Sequence, residues 1–138
     1  MNKERRNKAF ILEYYNALAG KRKTEELIRK YVSDEKLIEH IKFFEQTFPT
    51  YDAVAEEIFA SEDKVFVRAS MSGRHEGNID DIPPTFKHFK MPFAICYRIK
   101  DDKVVDHWMI ADQMELLEQL GLAGTIKPNF EKVKNEAG

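Results

Sequence analysis

The apolar residues change their spacing once along this chain, at Pro49, and that change limits the fold more than any motif does. Before it they recur every three or four positions; after it they alternate. In the first segment Phe10, Ile11, Tyr14, Tyr15 and Leu18 form the stripe of a core-facing helix. Gly20 followed by Lys21, Arg22 and Lys23 is a stop signal. Thr24 then caps a second helix, with Glu25 and Glu26 in its first turn and Leu27, Ile28 and Tyr31 turned inward. Ser33 or Asp34 opens a third, whose Leu37, Ile38, Ile41, Phe44 and Phe48 share a face. Pro49 ends it.

Beyond Pro49 the pattern is that of strands. Residues 51–60 and 64–75 are divided by the turn Ser61-Glu62-Asp63. In the second of these, Val65, Val67, Ala69, Met71, Gly73 and His75 face one side, and Phe66, Arg68, Ser70, Ser72 and Arg74 the other. A Gly- and Pro-punctuated loop covers 77–84, and residues 86–100 form a long strand with a bulge expected near Pro92. Asp101-Asp102 turns the chain into a last strand over 103–111; a short helix over 114–120 ends at Gly121. Helices first and antiparallel strands after them predict an α+β fold. Three N-terminal helices gather on one face of a curved sheet, making a cone that encloses a pocket.

At 138 residues the chain is one domain, assigned to residues 1–124, with a charged tail at 125–138. A net charge of −2 gives no electrostatic reason to expect nucleic acid or an acidic membrane as partner. The basic run of the first thirty residues is explained by a solvated helix face. Cys96, the one cysteine, lies in the apolar run Phe93-Ala94-Ile95-Cys96-Tyr97 and reads as a buried thiol. No stretch is long and apolar enough to span a bilayer, the N-terminus is a poor signal peptide, and a cytoplasmic protein is expected. Four histidines without paired spacing argue against a metal site.

The segment from His107 to Gly121 carries the best candidate for chemistry. It places Asp112 at the end of an apolar strand, where lost solvation would raise a carboxyl's pKa toward the range of proton transfer. Asp112 and Glu115 also have the spacing of a helix capping box, so a structural reading stands beside the catalytic one.

Several pieces in order resemble the SnoaL-like polyketide cyclases and related ester cyclases of the nuclear-transport-factor-2-like superfamily. They are Phe48-Pro49, Asp63-Lys64-Val65-Phe66-Val67-Arg68, Gly73-Arg74-His75-Glu76-Gly77, Ile82-Pro83-Pro84-Thr85 and Tyr97-Arg98-Ile99. Lys103-Val104-Val105-Asp106-His107-Trp108 follows, ending in Asp112 and Gln119-Leu120-Gly121. The resemblance implies a cone-shaped α+β barrel, usually dimeric, and an aldol ring closure without metal or cofactor. It also implies an Asp on the last strand as general acid/base, a place that Asp112 occupies. Two departures bear on the site. Ser33-Asp34-Glu35-Lys36 runs almost straight into the third helix, shortening one wall, and residues 91–100 lack the histidine that characterised cyclases add. His88 or His75 could substitute.

In a regular strand Trp108, Ile110 and Asp112 share a face, whereas His107 points away as a surface or interface histidine unless a bulge re-aims it. Trp108 and Ile110, with Tyr14 and Phe44 from the helices, are therefore expected to line a substrate pocket. The reading is a cofactor-independent enzyme using Asp112, assisted by His75 or His88, on an apolar carbonyl compound. A related isomerase, lyase or hydrolase is possible on the same pocket, and a non-catalytic binder of a small lipophilic ligand is the alternative. Leftover apolar surface among Phe66, Phe89 and Phe93 predicts a homodimer through the sheet.

Overall fold

A computed structural model describes residues 2–125, so the expected tail beyond Thr125 lies outside the described residues. The three N-terminal helices form where capping residues allow them. α1 (Lys3–Leu18) starts at Asn2, whose Oδ1 accepts from the Arg5 N–H at 2.8 Å. α2 (Glu25–Arg29) starts at Thr24, whose Oγ1 accepts from Leu27 at 3.2 Å. α3 (Glu35–Thr47) starts at Asp34, which accepts from both Lys36 and Leu37. These caps satisfy N–H groups that have no partner inside the helix.

Four strands follow: β1 (Asp52–Ser61), β2 (Lys64–Arg74), β3 (His88–Lys100) and β4 (Lys103–Ala111), with the short α4 (Gln113–Gln119) after them. Each strand pairs antiparallel with the next, giving one curved sheet in the order β1-β2-β3-β4. The α+β class and the helices-then-strands order read from the sequence are those of the protein. The core lies between the concave face of the sheet and the helices. Ile11, Ile38, Val65 and Val67 are fully excluded from water there, with Val104 and Phe48 beside them.

Pro92 does not make the expected bulge. Its register with Ser70 is unbroken, and β4 pairing stops at Phe93↔Ala111. The Pro92 carbonyl accepts from Asp112 N–H at 3.3 Å, so its ring nitrogen also faces the side where β4 has run out. A missing donor there breaks no ladder bond.

The bulge that matters is in β4. Arg98 pairs with Asp106 but Ile99 pairs with Val104, so Val105 is an extra residue. One inserted residue reverses every later side chain. Val104 and His107 point inward, while Trp108 and Ile110 are 46% and 68% exposed on the convex face. The face expected to line a pocket is the outer one.

Loop 75–87 is anchored by backbone and side chain together. The His75 N–H donates to Lys87 O and its carbonyl accepts from Phe86, each at 2.9 Å, while Nδ1 accepts from the Thr85 N–H at 3.0 Å. Glu76 and Gly77 both donate to the Thr47 carbonyl at 3.0 Å. This brings Gly77 so close to α3 that a Cβ on it would run into the Gln46 carbonyl oxygen. Only glycine fits that approach.

Candidate active site

Between α1, α3 and the concave face of the sheet lies a cavity of about 60 Å³. Its walls combine Tyr14 and Tyr15 of α1, His40 of α3, Lys23 and Tyr51 of the connecting turns, and Met71, Tyr97 and Met109 of the sheet. Helical spacing explains the α3 contribution: His40 is three residues after Leu37 and four before Phe44, and so falls on the buried stripe.

His40 is the unusual member. Both of its ring nitrogens are shut off from solvent and neither has a hydrogen-bond partner. Burial, with a further contribution from His107, depresses its pKa to about 4, so it is a neutral imidazole at neutral pH. Leaving buried polar atoms unpaired costs about 1–3 kcal/mol each, so both nitrogens of this ring are open to a polar group of a ligand in the cavity.

The tyrosines supply donors. Tyr15 Oη lies 2.8 Å from Tyr97 Oη, and burial raises the pKa of both, so both are phenols. Tyr14 also interacts with the Tyr97 hydroxyl, so the three phenols share two hydrogen bonds and one O–H among them is left for another group. Lys23 is different. Its Nζ donates to Tyr51 O at 2.6 Å and Lys21 O at 2.9 Å and lies 3.5 Å from Glu45 Oε1. It also sits 3.9 Å from the centre of the Tyr51 ring. Burial lowers its pKa, opposed by Glu45. With these partners it ties the α1–α2 turn to Tyr51 and is not a free nucleophile.

A second buried histidine lies on β4. His107 Nδ1 is 2.6 Å from Asp34 Oδ2, and His107 Nε2 is buried without a partner. The β4 bulge turns His107 inward, and the cap of α3 places Asp34 to meet it. No group of three or more His, Cys, Asp or Glu side chains suited to a metal ion occurs among the described residues.

Of the candidate site residues read from the sequence, the cavity takes Tyr14, with Tyr15 of the same helix stripe beside it. Phe44 packs against the His40 ring, centroids 4.6 Å apart, without lining the cavity. Trp108 and Ile110 are on the far side of the sheet. His88 is exposed at the start of β3, and His75, wholly buried, holds its loop through Nδ1 while its Nε2 is buried without a partner, away from this cavity. Asp112 is exposed and caps α4, its Oδ1 accepting from the Glu115 N–H at 3.0 Å. The bulge at Val105 moves the strand's inward-facing positions to His107, Met109 and Ala111, of which Met109 lines the cavity. Sequence reading missed His40, the Tyr15–Tyr97 pair and the Asp34–His107 pair. For His40 the signal was present in the α3 spacing.

The capping geometry yields a prediction. Asp112→Asn should leave stability and any turnover unchanged, because Asn caps as well as Asp, whereas Asp112→Ala should cost about 1 kcal/mol. Urea denaturation of the two variants separates these outcomes, and a rate loss in the Asn variant would restore Asp112 to the chemistry.

A family model for SnoaL-like polyketide cyclases matches residues 9–120. Comparison with curated proteins gives no match. Among solved structures the chain is similar to AclR, a candidate hydroxylase from Streptomyces galilaeus, at 23% identity and TM-score 0.73 over 86% of this chain and 87% of that one. IdmH, a candidate polyketide cyclase from Streptomyces antibioticus, is 22% identical with TM-score 0.66, over 87% of this chain and 99% of that one. A SnoaL-like polyketide cyclase from Agrobacterium tumefaciens is 14% identical with TM-score 0.67, covering 83% and 98%. At these identities the likeness is one of fold.

Proposed function

Because the chain belongs to the SnoaL-like polyketide cyclase family, we propose that it is a cofactor-independent enzyme abstracting a proton beside a carbonyl group, with His40 as the base. The observation that carries this reading is a cavity-lining imidazole, neutral at working pH, with both nitrogens unpaired. The role expected of Asp112 passes to a residue inside the cavity. An enolate formed there takes a hydrogen bond from the O–H that the Tyr14, Tyr15 and Tyr97 hydroxyls leave free, a donor held in place before the charge develops. Collapse of the enolate onto a second carbonyl of the same molecule closes a ring; reprotonation gives an isomerase instead.

The cavity also limits the substrate. At about 60 Å³ it is smaller than the ~150 Å³ apolar cavity that takes up benzene, so it takes the enolisable carbonyl end of a substrate and not a whole flat polycycle. Trp108 fluorescence is a poor reporter of such a ligand, since the indole lies on the opposite face.

The test needs no knowledge of the natural substrate. In D₂O, 2-butanone should exchange its α-hydrogens for deuterium faster with the protein than in buffer, followed by proton NMR. Binding without exchange would leave a non-catalytic binder of a small lipophilic ligand.

The convex face supports a second element of the proposal, a homodimer. Register places Phe59, Phe66, Cys96 and Trp108 in one row across all four strands, and Phe66 and Trp108 rings lie 6.0 Å apart. Phe59 is 60% exposed at one end and Trp108 46% at the other, an apolar band suited to a second copy of itself. Light scattering at high micromolar concentration should give twice the chain mass of 16.2 kDa, and Trp108→Glu should give the single mass. A wild-type mass near one chain would contradict the dimer.

A further inference from the structure

We propose that His75 is a pH-sensitive latch on the loop between β2 and β3, holding it shut with a ring lone pair that a single proton removes. The latch uses no residue of the cavity and does not depend on the enolisation reading.

The geometry starts at Nδ1, which accepts from the Thr85 backbone N–H at 3.0 Å, across the loop. A backbone N–H can only donate, so Nδ1 is a lone pair and the hydrogen of the neutral ring is on Nε2. That nitrogen is buried without a partner, on a residue wholly excluded from water. Phe48 packs on the ring with centroids 5.9 Å apart, and Phe89 packs on Phe48 at 4.6 Å. Thr85 Oγ1 is also 3.0 Å from Nδ1 and accepts from the Lys87 N–H at 3.3 Å.

Only a neutral ring fits this arrangement. A proton on Nδ1 sets one N–H against another, 3.0 Å apart. Thr85 Oγ1 can take the new hydrogen, but the Thr85 N–H has then lost its acceptor. The charge has no counter-ion at the ring either. The charged side chains of the surrounding segments are Arg74 and Glu76 beside it, Asp80 and Asp81 in the loop, Lys87 and His88 leading into β3, and Glu45 near the end of α3. Arg74 meets the Phe86 carbonyl at 3.2 Å and Glu76 at 3.8 Å, and Glu45 holds the Thr50 N–H at 2.8 Å and lies 3.5 Å from Lys23 Nζ. Lys87, His88, Asp80 and Asp81 are exposed. Among the described residues none of these is hydrogen-bonded to the ring. Burial accordingly holds the His75 pKa below that of a free histidine, offset in part by the Gly77 backbone.

What the latch secures is the end of α3. Inside the loop, Glu76 and Gly77 donate to the carbonyl of Thr47, the last residue of that helix, each at 3.0 Å. Those bonds satisfy an acceptor that the helix leaves open. With the loop open, the His75 ring is solvated and takes a proton as pH falls below about 6.5. With the loop shut, it resists that proton. The shut loop is therefore fully favoured above about pH 6.5 and is lost progressively below it.

Amide hydrogen exchange of the whole chain at pH 7 and pH 5, corrected for intrinsic rates, tests the latch. In the wild type the Glu76, Gly77 and Thr85 amides should be less protected than Val67 and Ile95 in the sheet, and their protection should fall several-fold from the higher pH to the lower. His75→Gln keeps a side-chain oxygen that can accept from Thr85 and has no proton to take up, so the fall in loop protection should disappear. ¹⁵N spectra of the wild-type rings should show His75 with hydrogen on Nε2 and Nδ1 bare at neutral pH, and the Thr85 amide signal should move over the pH range in which that ring titrates. The wild-type measurements decide the matter if the Gln variant does not fold. Hydrogen on His75 Nδ1 at neutral pH, loop amides as protected as those of the sheet, or the same fall in both proteins would overturn the latch.

Discussion

Replacing His40 by Phe is expected to remove α-deuterium exchange, by the 10²–10⁴-fold typical of losing a general base, while making the protein more resistant to acid. Both effects come from one property. His40 has a folded-state pKa of about 4 against 6.5 for a free histidine. The unfolded chain therefore binds a proton at this ring as pH falls below 6.5, and the folded protein does not until near pH 4. Stability contributed by the neutral ring is complete above pH 6.5 and is lost progressively down to about pH 4. That pKa difference corresponds to about 3 kcal/mol. Phe keeps the ring contact with Phe44 and cannot take a proton. Urea midpoints at pH 7 and pH 4.5 should therefore fall further apart for the wild type than for His40→Phe. Equal pH dependence of the two proteins, with exchange intact in the variant, would remove His40 from both roles.

Lys23→Met is expected to destabilise the protein by about 3 kcal/mol, the scale of breaking a buried ion pair by deleting one partner. The side chain is 2% exposed, and its loss leaves the Lys21 and Tyr51 carbonyls without this donor and Glu45 without its cation. Met matches the length of Lys and fills the same volume, so the loss measures the polar contacts rather than a void. Urea denaturation at neutral pH is the check, and a change below about 1 kcal/mol would mean that Lys23 holds nothing in place. Should the variant still fold, its cavity would lose the tie between the α1–α2 turn and Tyr51 that fixes one wall.

Elements were more legible in this sequence than faces. Thr24 announced one helix start and Ser33 or Asp34 another, which proved to be Asp34, and the turn at Asp101-Asp102 bounded β3 and β4 where it was expected. Inward Val65, Val67, Ala69 and Met71 followed from simple alternation in β2. β4 defeated the same argument. Val104 and Val105 look alike to a two-residue repeat, and only pairing against Arg98 and Ile99 reveals that one of them is extra. That single insertion exchanged Trp108 for His107 as the inward residue and moved the candidate site across the sheet. Asp34 and His107 are 73 positions apart, joined because Val32 bridges to Val104, and no local pattern records such a meeting. His40 was within reach, since its spacing from Leu37 and Phe44 puts it on the buried face of α3.

We propose that the site lies beneath the helices and not on the Trp108–Asp112 face. Methionine methyl groups report on this directly, because Met71 and Met109 line the cavity while Met114 is exposed beyond β4 and Met91 is buried away from the cavity lining. In a titration with 2-butanone followed by NMR, the Met71 and Met109 methyl signals and the His40 ring should shift together in saturable fashion. The Trp108 indole N–H and the Met114 methyl should stay in place. Movement of Trp108 and Met114 with Met71, Met109 and His40 unchanged would put the ligand on the other face and contradict the account.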